Sequence, residues 1–145
     1  MSSYIIGDVQ GCYAELQELL EKISYNPDCD SLGFVGDLVN RGSDSLHVLR
    51  FLKKLPNLQL VLGNHDLYLL ILGYGLMPLD RYQHTLHDIL SAPDRLDLLD
   101  WLRHQPLLRF NQDARMLMVH AGVPPQWTIS QSLNYAGEVE QVLQG

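Results

Sequence analysis

Four short polar segments, each entered from an apolar run, constrain what this chain can fold into: Gly7-Asp8-Val9-Gln10-Gly11, Gly36-Asp37-Leu38-Val39-Asn40-Arg41-Gly42, Gly63-Asn64-His65-Asp66 and His120-Ala121-Gly122. The runs before them contain Tyr4, Ile5 and Ile6; Leu32, Phe34 and Val35; Leu60, Val61 and Leu62; and Leu117, Met118 and Val119. Runs this short, stopped by glycine or by a polar residue, read as buried strands. That places Asp8, Asp37, Asn64 and His120 at the carboxyl ends of strands, where open α/β sheets assemble their ligand sites. Any one segment alone is as well explained by a turn with an Asx-type bond. Four in register favour a shared site.

Helical spacing fills the intervals. Between the first two runs, Leu16, Leu19, Leu20 and Ile23 recur at helical period, with Glu15, Glu18, Glu21 and Lys22 left for solvent, and Asn26-Pro27-Asp28 ends the pattern. Residues 43 to 55 open on a serine, direct Leu46, Leu49, Phe51 and Leu52 inward, and break at Pro56-Asn57 before the next strand. Residues 65 to 76 and 80 to 104 read as helical, with breaks near Gly73, Gly75 and Pro93, forming a helical insertion over about 65 to 105. Leu107 to Phe110 and Arg115 to Val119 read as a hairpin whose second strand delivers His120, and Ser130 to Leu143 as a last helix. With 145 residues, 46% of them hydrophobic, and no linker, repeat or low-complexity stretch, the chain reads as one α/β domain.

No apolar run reaches the length of a membrane span, and the first residues lack a secretory pattern, so a cytoplasmic protein without membrane contact is expected. Cys12 and Cys29 have no metal-type spacing and read as free thiols. The net charge of −7, from 17 acidic against 10 basic residues, argues against direct DNA binding by the chain as a whole. A phosphorylated small molecule would need local positive charge, which two divalent cations beside Arg41 would supply.

The side-chain types point to such cations. Aspartate, amide oxygen and imidazole form a mixed oxygen and nitrogen set that suits Mn, Co or Fe best, with Zn or Mg as alternatives, better than calcium. Asp37 is the candidate bridging carboxylate. Two ions roughly 3.5–4 Å apart would hold a hydroxide for in-line attack on phosphorus and neutralise the developing charge. His65, adjacent to Asn64, is the candidate acid toward the leaving oxygen. Arg41 presents a bidentate fork to phosphate where lysine would offer a point charge.

On these motifs the chain resembles the calcineurin-like metallophosphoesterases, in the branch that holds phosphoprotein phosphatases and dinucleoside tetraphosphatases. The family pattern is Gly-Asp-x-His-Gly, Gly-Asp-x-x-x-Arg-Gly, Gly-Asn-His-Asp/Glu, a His before a small-Gly pair, and a further downstream Gly-His. The resemblance implies that Asp8 and Asp37 hold a first metal, that Asp37, Asn64 and His120 hold a second, and that His65 is the acid. It also implies the sandwich fold of that family. The runs Trp101-Leu102-Arg103-His104-Gln105-Pro106-Leu107-Leu108 and His120-Ala121-Gly122-Val123-Pro124-Pro125-Gln126-Trp127 are similar to the dinucleoside tetraphosphatases in particular. The expected activity is therefore cleavage of diadenosine tetraphosphate into two ADP, with phosphoserine/threonine phosphatase activity or a catalytically impaired fragment as alternatives.

Three departures shape the expectation. Gln10 stands where the general motif has a metal-binding His, and is read as either a weak ligand or a solvated loop residue. Asn40 stands where protein phosphatases carry an Asp behind the catalytic His. A serine alkoxide leaves poorly and needs a strong acid, whereas a nucleoside diphosphate leaves as a stabilised anion, so Asn40 favours a polyphosphate substrate and is counted with Arg41 among the substrate-binding residues. The chain reaches Gly145 without the downstream Gly-His, so the resemblance implies an amino-terminal half, incomplete at its C-terminus and prone to self-association through uncovered surface. Asp66 is expected to orient backbone at a helix start without touching metal. His47, His84, His87 and His104 lie in helical stretches without ligand partners at suitable spacing and are expected to be structural or solvated. Trp127 is expected to pack the loop after His120, with stacking on a nucleobase as the alternative.

Overall fold

Three of the four apolar runs pair side by side. In the computed structural model, which describes residues 1–78 and 84–145, β1 (Ser3–Ile6), β2 (Ser31–Phe34) and β3 (Leu58–Leu60) form a parallel sheet in the order β1-β2-β3. Tyr4 lies opposite Leu32, and Phe34 opposite Leu60. Parallel neighbours need crossovers, which α1 (Tyr13–Lys22) and α2 (Ser45–Lys54) supply. On α1, Leu16 and Leu20 are buried, but Leu19, expected inward, is 40% exposed. On α2, Val48, Leu49 and Leu52 are fully buried, while Leu46 and Phe51 pack only partly against that core.

The helical stretch that follows comprises α3 (Asn64–Gly73), a 3-10 turn (His84–Leu86), α4 (His87–Ser91) and α5 (Arg95–Arg103). The expected helix over 80 to 104 is thus divided, and the part of it at 80–83 lies outside the described residues. Ala92 is extended (φ −65°, ψ 143°), the conformation that a following proline imposes, and Pro93 supplies the break. Leu86, Ile89, Leu98, Leu99 and Leu102 carry this layer into the core. Arg50 of α2 grips Asp94, just before α5, with both ends of its fork, Nε to Oδ2 at 2.9 Å and Nη2 to Oδ1 at 2.6 Å.

The fourth run enters as a hairpin, β4 (Leu108–Asn111) and β5 (Met116–Val119), with Leu108 opposite Val119. It forms its own two-stranded sheet and docks beside β3: the Leu62 N–H donates to the Pro106 carbonyl at 2.8 Å and Arg109 Nε to the Leu60 carbonyl at 3.0 Å. Thr128 starts α6 (Ile129–Gln144) with a reciprocal cap, its hydroxyl accepting the Gln131 N–H while the Gln131 side chain accepts the Thr128 N–H. Between α3 and α6 runs an apolar groove of about 430 Å³ bordered by Tyr74, Leu76, Val139 and Val142. Cys12 and Cys29 are free and exposed, as expected, and no helix among the described residues is long and apolar enough to cross a membrane.

What positions the strand ends is contact between loops at bare backbone. Gly36 (φ +95°) lies so close to the next loop that a Cβ there would sit 2.4 Å from the Gly63 nitrogen, and a Cβ on Gly63 would fall 2.2 Å from Asp37 Oδ1. Only glycine at both positions permits this approach. The first loop adds Gln10 N–H to the Asp37 carbonyl and Gly11 N–H to the Leu38 carbonyl, both at 2.9 Å. Asp66 then fastens two loops at once: its fully buried carboxylate accepts the N–H groups of Asp37 (2.8 Å), Leu38 (2.9 Å) and Gly63 (2.9 Å). Burial pushes that carboxyl up to about 6, against the three N–H bonds that favour its charged form.

Two stability predictions follow from these contacts. Asp66→Ala strands three buried N–H groups, each costing about 1–3 kcal/mol, so a loss of roughly 3–5 kcal/mol in urea unfolding is expected, and a loss under 1 kcal/mol would contradict the role given to Asp66. The second concerns acid. N–H bonds from Asn26 and Ser2 hold Asp30 below the usual carboxylate range, and the Arg50 fork does the same for Asp94. A depressed folded-state value contributes stability that is present above the unfolded value of about 3.9 and is lost as pH falls through the folded one. The melting temperature should therefore drop as pH falls below about 4, and Asp30→Asn with Asp94→Asn should flatten that decline.

Candidate active site

The three loops and the end of β5 bring the expected donors together. Asp8, Asp37 and His120 each offer a ligand atom, and those atoms all lie within 4.8 Å of one another. Asp37 is buried at the base, Asp8 is exposed at the rim, and His120 is half-buried between them. The His120 ring is fixed from behind: Nδ1 donates to the Val35 carbonyl at 2.7 Å, so Nε2 carries the free lone pair and faces the loops. Nε2 lies 3.1 Å from Asn64 Oδ1 and 3.5 Å from Asp37 Oδ1. Nε2, Asn64 Oδ1 and Asp37 Oδ1 thus converge on one point, an oxygen and nitrogen donor set that suits a divalent transition metal.

Beside this cluster stands a second one. The His65 N–H donates to Asp37 Oδ1 at 2.9 Å, which ties the candidate acid to the candidate bridge, and its Nε2 lies 3.9 Å from Asp37 Oδ2. Its Nδ1 is 3.0 Å from the amide nitrogen of Asn40. An amide nitrogen can only donate, so Nδ1 accepts and the His65 proton resides on Nε2. The other end of the amide is also occupied: Asn40 Oδ1 accepts the Thr85 hydroxyl at 2.5 Å and the Arg41 N–H at 3.0 Å. Asn40, expected among the substrate-binding residues, thus has its side chain committed to protein partners. Arg41 is exposed, and its guanidinium has no hydrogen-bond or ion-pair partner among the described residues.

Strain accompanies the site. Gln10 (φ 47°), Asp37 (54°), Asn40 (75°) and Arg41 (67°) all occupy the left-handed region, at about 1–2 kcal/mol each for residues with a side chain. Gln10 joins the site through its backbone, its N–H on the Asp37 carbonyl and its own carbonyl accepting the Gly42 N–H at 2.7 Å. Trp127 lies tilted at 56° against Tyr135, with ring centroids 4.7 Å apart, and stays 42% exposed. His47 pairs with Asp44, and His104 with the Asp100 carbonyl, both away from the donor cluster. Asp66 sits at the start of α3 as expected, but its bonds to Asp37 and Leu38 were not legible from local sequence. Neither was Thr85, nor Ser45, whose hydroxyl accepts the Asn40 N–H at 2.9 Å.

Comparison with known proteins identifies the family. Residues 1–142 match the family model described as calcineurin-like phosphoesterase. The chain is 63% identical over 144 residues to a Coxiella burnetii protein named symmetrical bis(5'-nucleosyl)-tetraphosphatase, covering 99% of this chain and 50% of that one. It is 51% identical to the protein of the same name from Marinomonas, covering 99% of this chain and 52% of the relative. The chain thus spans about half the length of the curated relatives it matches. A crystal structure described as that of a candidate diadenosine tetraphosphatase superposes with a TM-score of 0.74 at 36% identity, over 89% of this chain and 54% of the other. A cold-active protein tyrosine phosphatase shares the fold alone, with a TM-score of 0.69 at 21% identity, over 99% of this chain and 49% of the other. By its family match, its fold and its donor cluster, the chain belongs to the calcineurin-like phosphoesterase family.

Proposed function

We propose that this site serves metal-dependent hydrolysis of a dinucleoside tetraphosphate, cut symmetrically into two nucleoside diphosphates. The observation that carries the reading is the convergence of the Asp37, Asn64 and His120 donor atoms beside a histidine whose partner is a neutral amide. Asp8 and Asp37 would hold one divalent ion, and Asp37, Asn64 and His120 a second, with Mn, Co or Fe favoured by the donor set and Gln10 as a weak further ligand. Such ions supply Lewis-acid polarisation and charge neutralisation at the phosphoryl group.

The chain's own residues divide the remaining work. Arg41 binds phosphate oxygens with two parallel N–H bonds, which its exposed position permits. His65 donates a hydrogen bond from its Nε2–H to the oxygen of the departing nucleoside diphosphate, stabilising the anion as it leaves. Asn40 sets the tautomer without placing a negative charge behind the ring. That arrangement suits a leaving group already stabilised as a polyphosphate anion better than the alkoxide released from a phosphoserine. The name carried by the 63%-identical relative supports the same substrate class.

Product identity tests the substrate assignment. With Mn or Co added, diadenosine tetraphosphate should give ADP alone; AMP with ATP, or faster turnover of a phosphoserine peptide, would refute it. Residue roles are tested by pairing elemental analysis with kinetics. Asn64→Ala should lower bound metal and activity together, whereas His65→Ala should keep its metal and lose roughly 100- to 10,000-fold in turnover. Equal metal loss in both variants would remove this division of roles.

A further inference from the structure

We infer that Ser45 is a positioning residue for phosphate binding: its buried hydroxyl holds the backbone turn that carries Arg41. The inference rests on the reading of Arg41 as the phosphate-binding side chain, and Ser45 lies outside every motif that the sequence marks for the site. Ser45 is the first residue of α2 and 2% exposed, and its Oγ accepts the Asn40 N–H at 2.9 Å. A backbone N–H can only donate, so this oxygen is the acceptor whichever way its own proton turns.

The turn needs such a hold. Asn40 (φ 75°) and Arg41 (φ 67°) are consecutive left-handed residues, and each carries a Cβ that disfavours this conformation. Three bonds keep them there. At the exit, the Gly42 N–H donates to the Gln10 carbonyl at 2.7 Å, a contact of main chain with main chain. In the middle, the Arg41 N–H donates to Asn40 Oδ1 at 3.0 Å, within the turn itself. At the entry, the Ser45 hydroxyl is the one of the three supplied by a side chain outside the turn. Its oxygen is wedged where the first loop meets the turn: a Cβ on Gly11 would lie 2.7 Å from Ser45 Oγ and 2.9 Å from the Gly42 carbonyl oxygen. Without that oxygen the Asn40 N–H loses its acceptor, and the strained pair is released at one end. Arg41 then leaves the backbone in more than one direction, and a phosphate must order it on binding. A two-bond fork is sensitive to this loss because both of its N–H groups have to be aligned at once. The Asn40 side chain keeps its bonds to His65 and Thr85, so the change falls on Arg41 and not on the histidine.

The probe is inorganic pyrophosphate, titrated calorimetrically into Mn-loaded protein, so that the readout is affinity and not turnover. Ser45→Ala should weaken binding roughly five-fold, the worth of one hydrogen bond, with bound Mn unchanged by elemental analysis. In an Arg41→Ala background the same substitution should have no further effect, since a residue that acts through Arg41 loses its role when that side chain is gone. Equal weakening in both backgrounds, an unchanged Kd in Ser45→Ala, or a matching loss of Mn overturns the proposal. A second measurement needs no variant. In wild type, amide hydrogen exchange should show the Asn40 N–H protected at least about ten-fold, and exchange at the unstructured rate overturns the proposal whether or not Ser45→Ala folds. Wild type that binds no pyrophosphate refutes the phosphate role of Arg41 and this inference with it. Wild type that binds pyrophosphate but does not cleave diadenosine tetraphosphate refutes the substrate reading alone, and the paired affinities still decide the role of Ser45.

Discussion

The Asp66 carboxylate carries the arrangement on which the rest of the site depends. It is fully buried and has no cationic partner among the described residues, yet it accepts three N–H groups from two loops. An ion pair in its place would hold one side chain to another. Three backbone donors instead fix the path of the chain itself, at Gly63 before α3 and at Asp37 and Leu38 after β2. Since Asp37 and Asn64 flank those anchored atoms, the carboxylate and the amide oxygen are placed by main chain geometry before any ligand arrives. The desolvation cost, visible in the raised carboxyl, is offset by bonds to charge that are worth more than neutral ones.

Close loop contact explains why the strained residues are tolerated. Left-handed backbone at Asp37, Asn40 and Arg41 costs free energy that a solitary loop would relax. Here Gly36 and Gly63 meet at bare backbone, the first loop bonds to Asp37 and Leu38, and Ser45 takes the Asn40 N–H, so Asp37 and Asn40 are held by contacts from outside their own turn. Strain and function coincide because turning the chain back on itself is what aims Asp37 at the donor cluster and Asn40 at His65.

Local patterns revealed most of the architecture, and for a physical reason. A buried strand must be apolar along its length and must stop where its backbone leaves the sheet, so the four runs and their terminators were visible, as was the hairpin that delivers His120. Helical faces were read less sharply. Leu19 is exposed and Val48 buried, because a helix resting on a three-stranded sheet buries a stripe narrower than its leucines suggest. The divided helix near Pro93 was foreshadowed by the proline, although its exact segments were not. Within the site, Asp8, Asp37, Asn64 and His120 each announced themselves at a strand end. The supports did not: Asp66 reaches Asp37 across 29 positions and Thr85 reaches Asn40 across 45, and no local periodicity encodes such a meeting.

The amide at position 40 shows how a small chemical difference sets the character of the site. A carboxylate there would accept a proton from Nδ1 and favour a charged ring, whereas the amide nitrogen can only donate. The His65 proton is therefore carried on the face toward the cluster, and no negative charge is added next to Asp37, whose own carboxylate already accepts the His65 N–H. Removing that charge from a region holding Asp8, Asp37 and the buried Asp66 eases the repulsion that any phosphate must meet there. Arg41, anchored through its N–H to the other end of the same amide, gains an exposed guanidinium beside a less negative wall. On the proposed reading, a neutral residue at this position supports both the Nε2–H donor and the anion, as a polyphosphate substrate with a good leaving group and many charges requires.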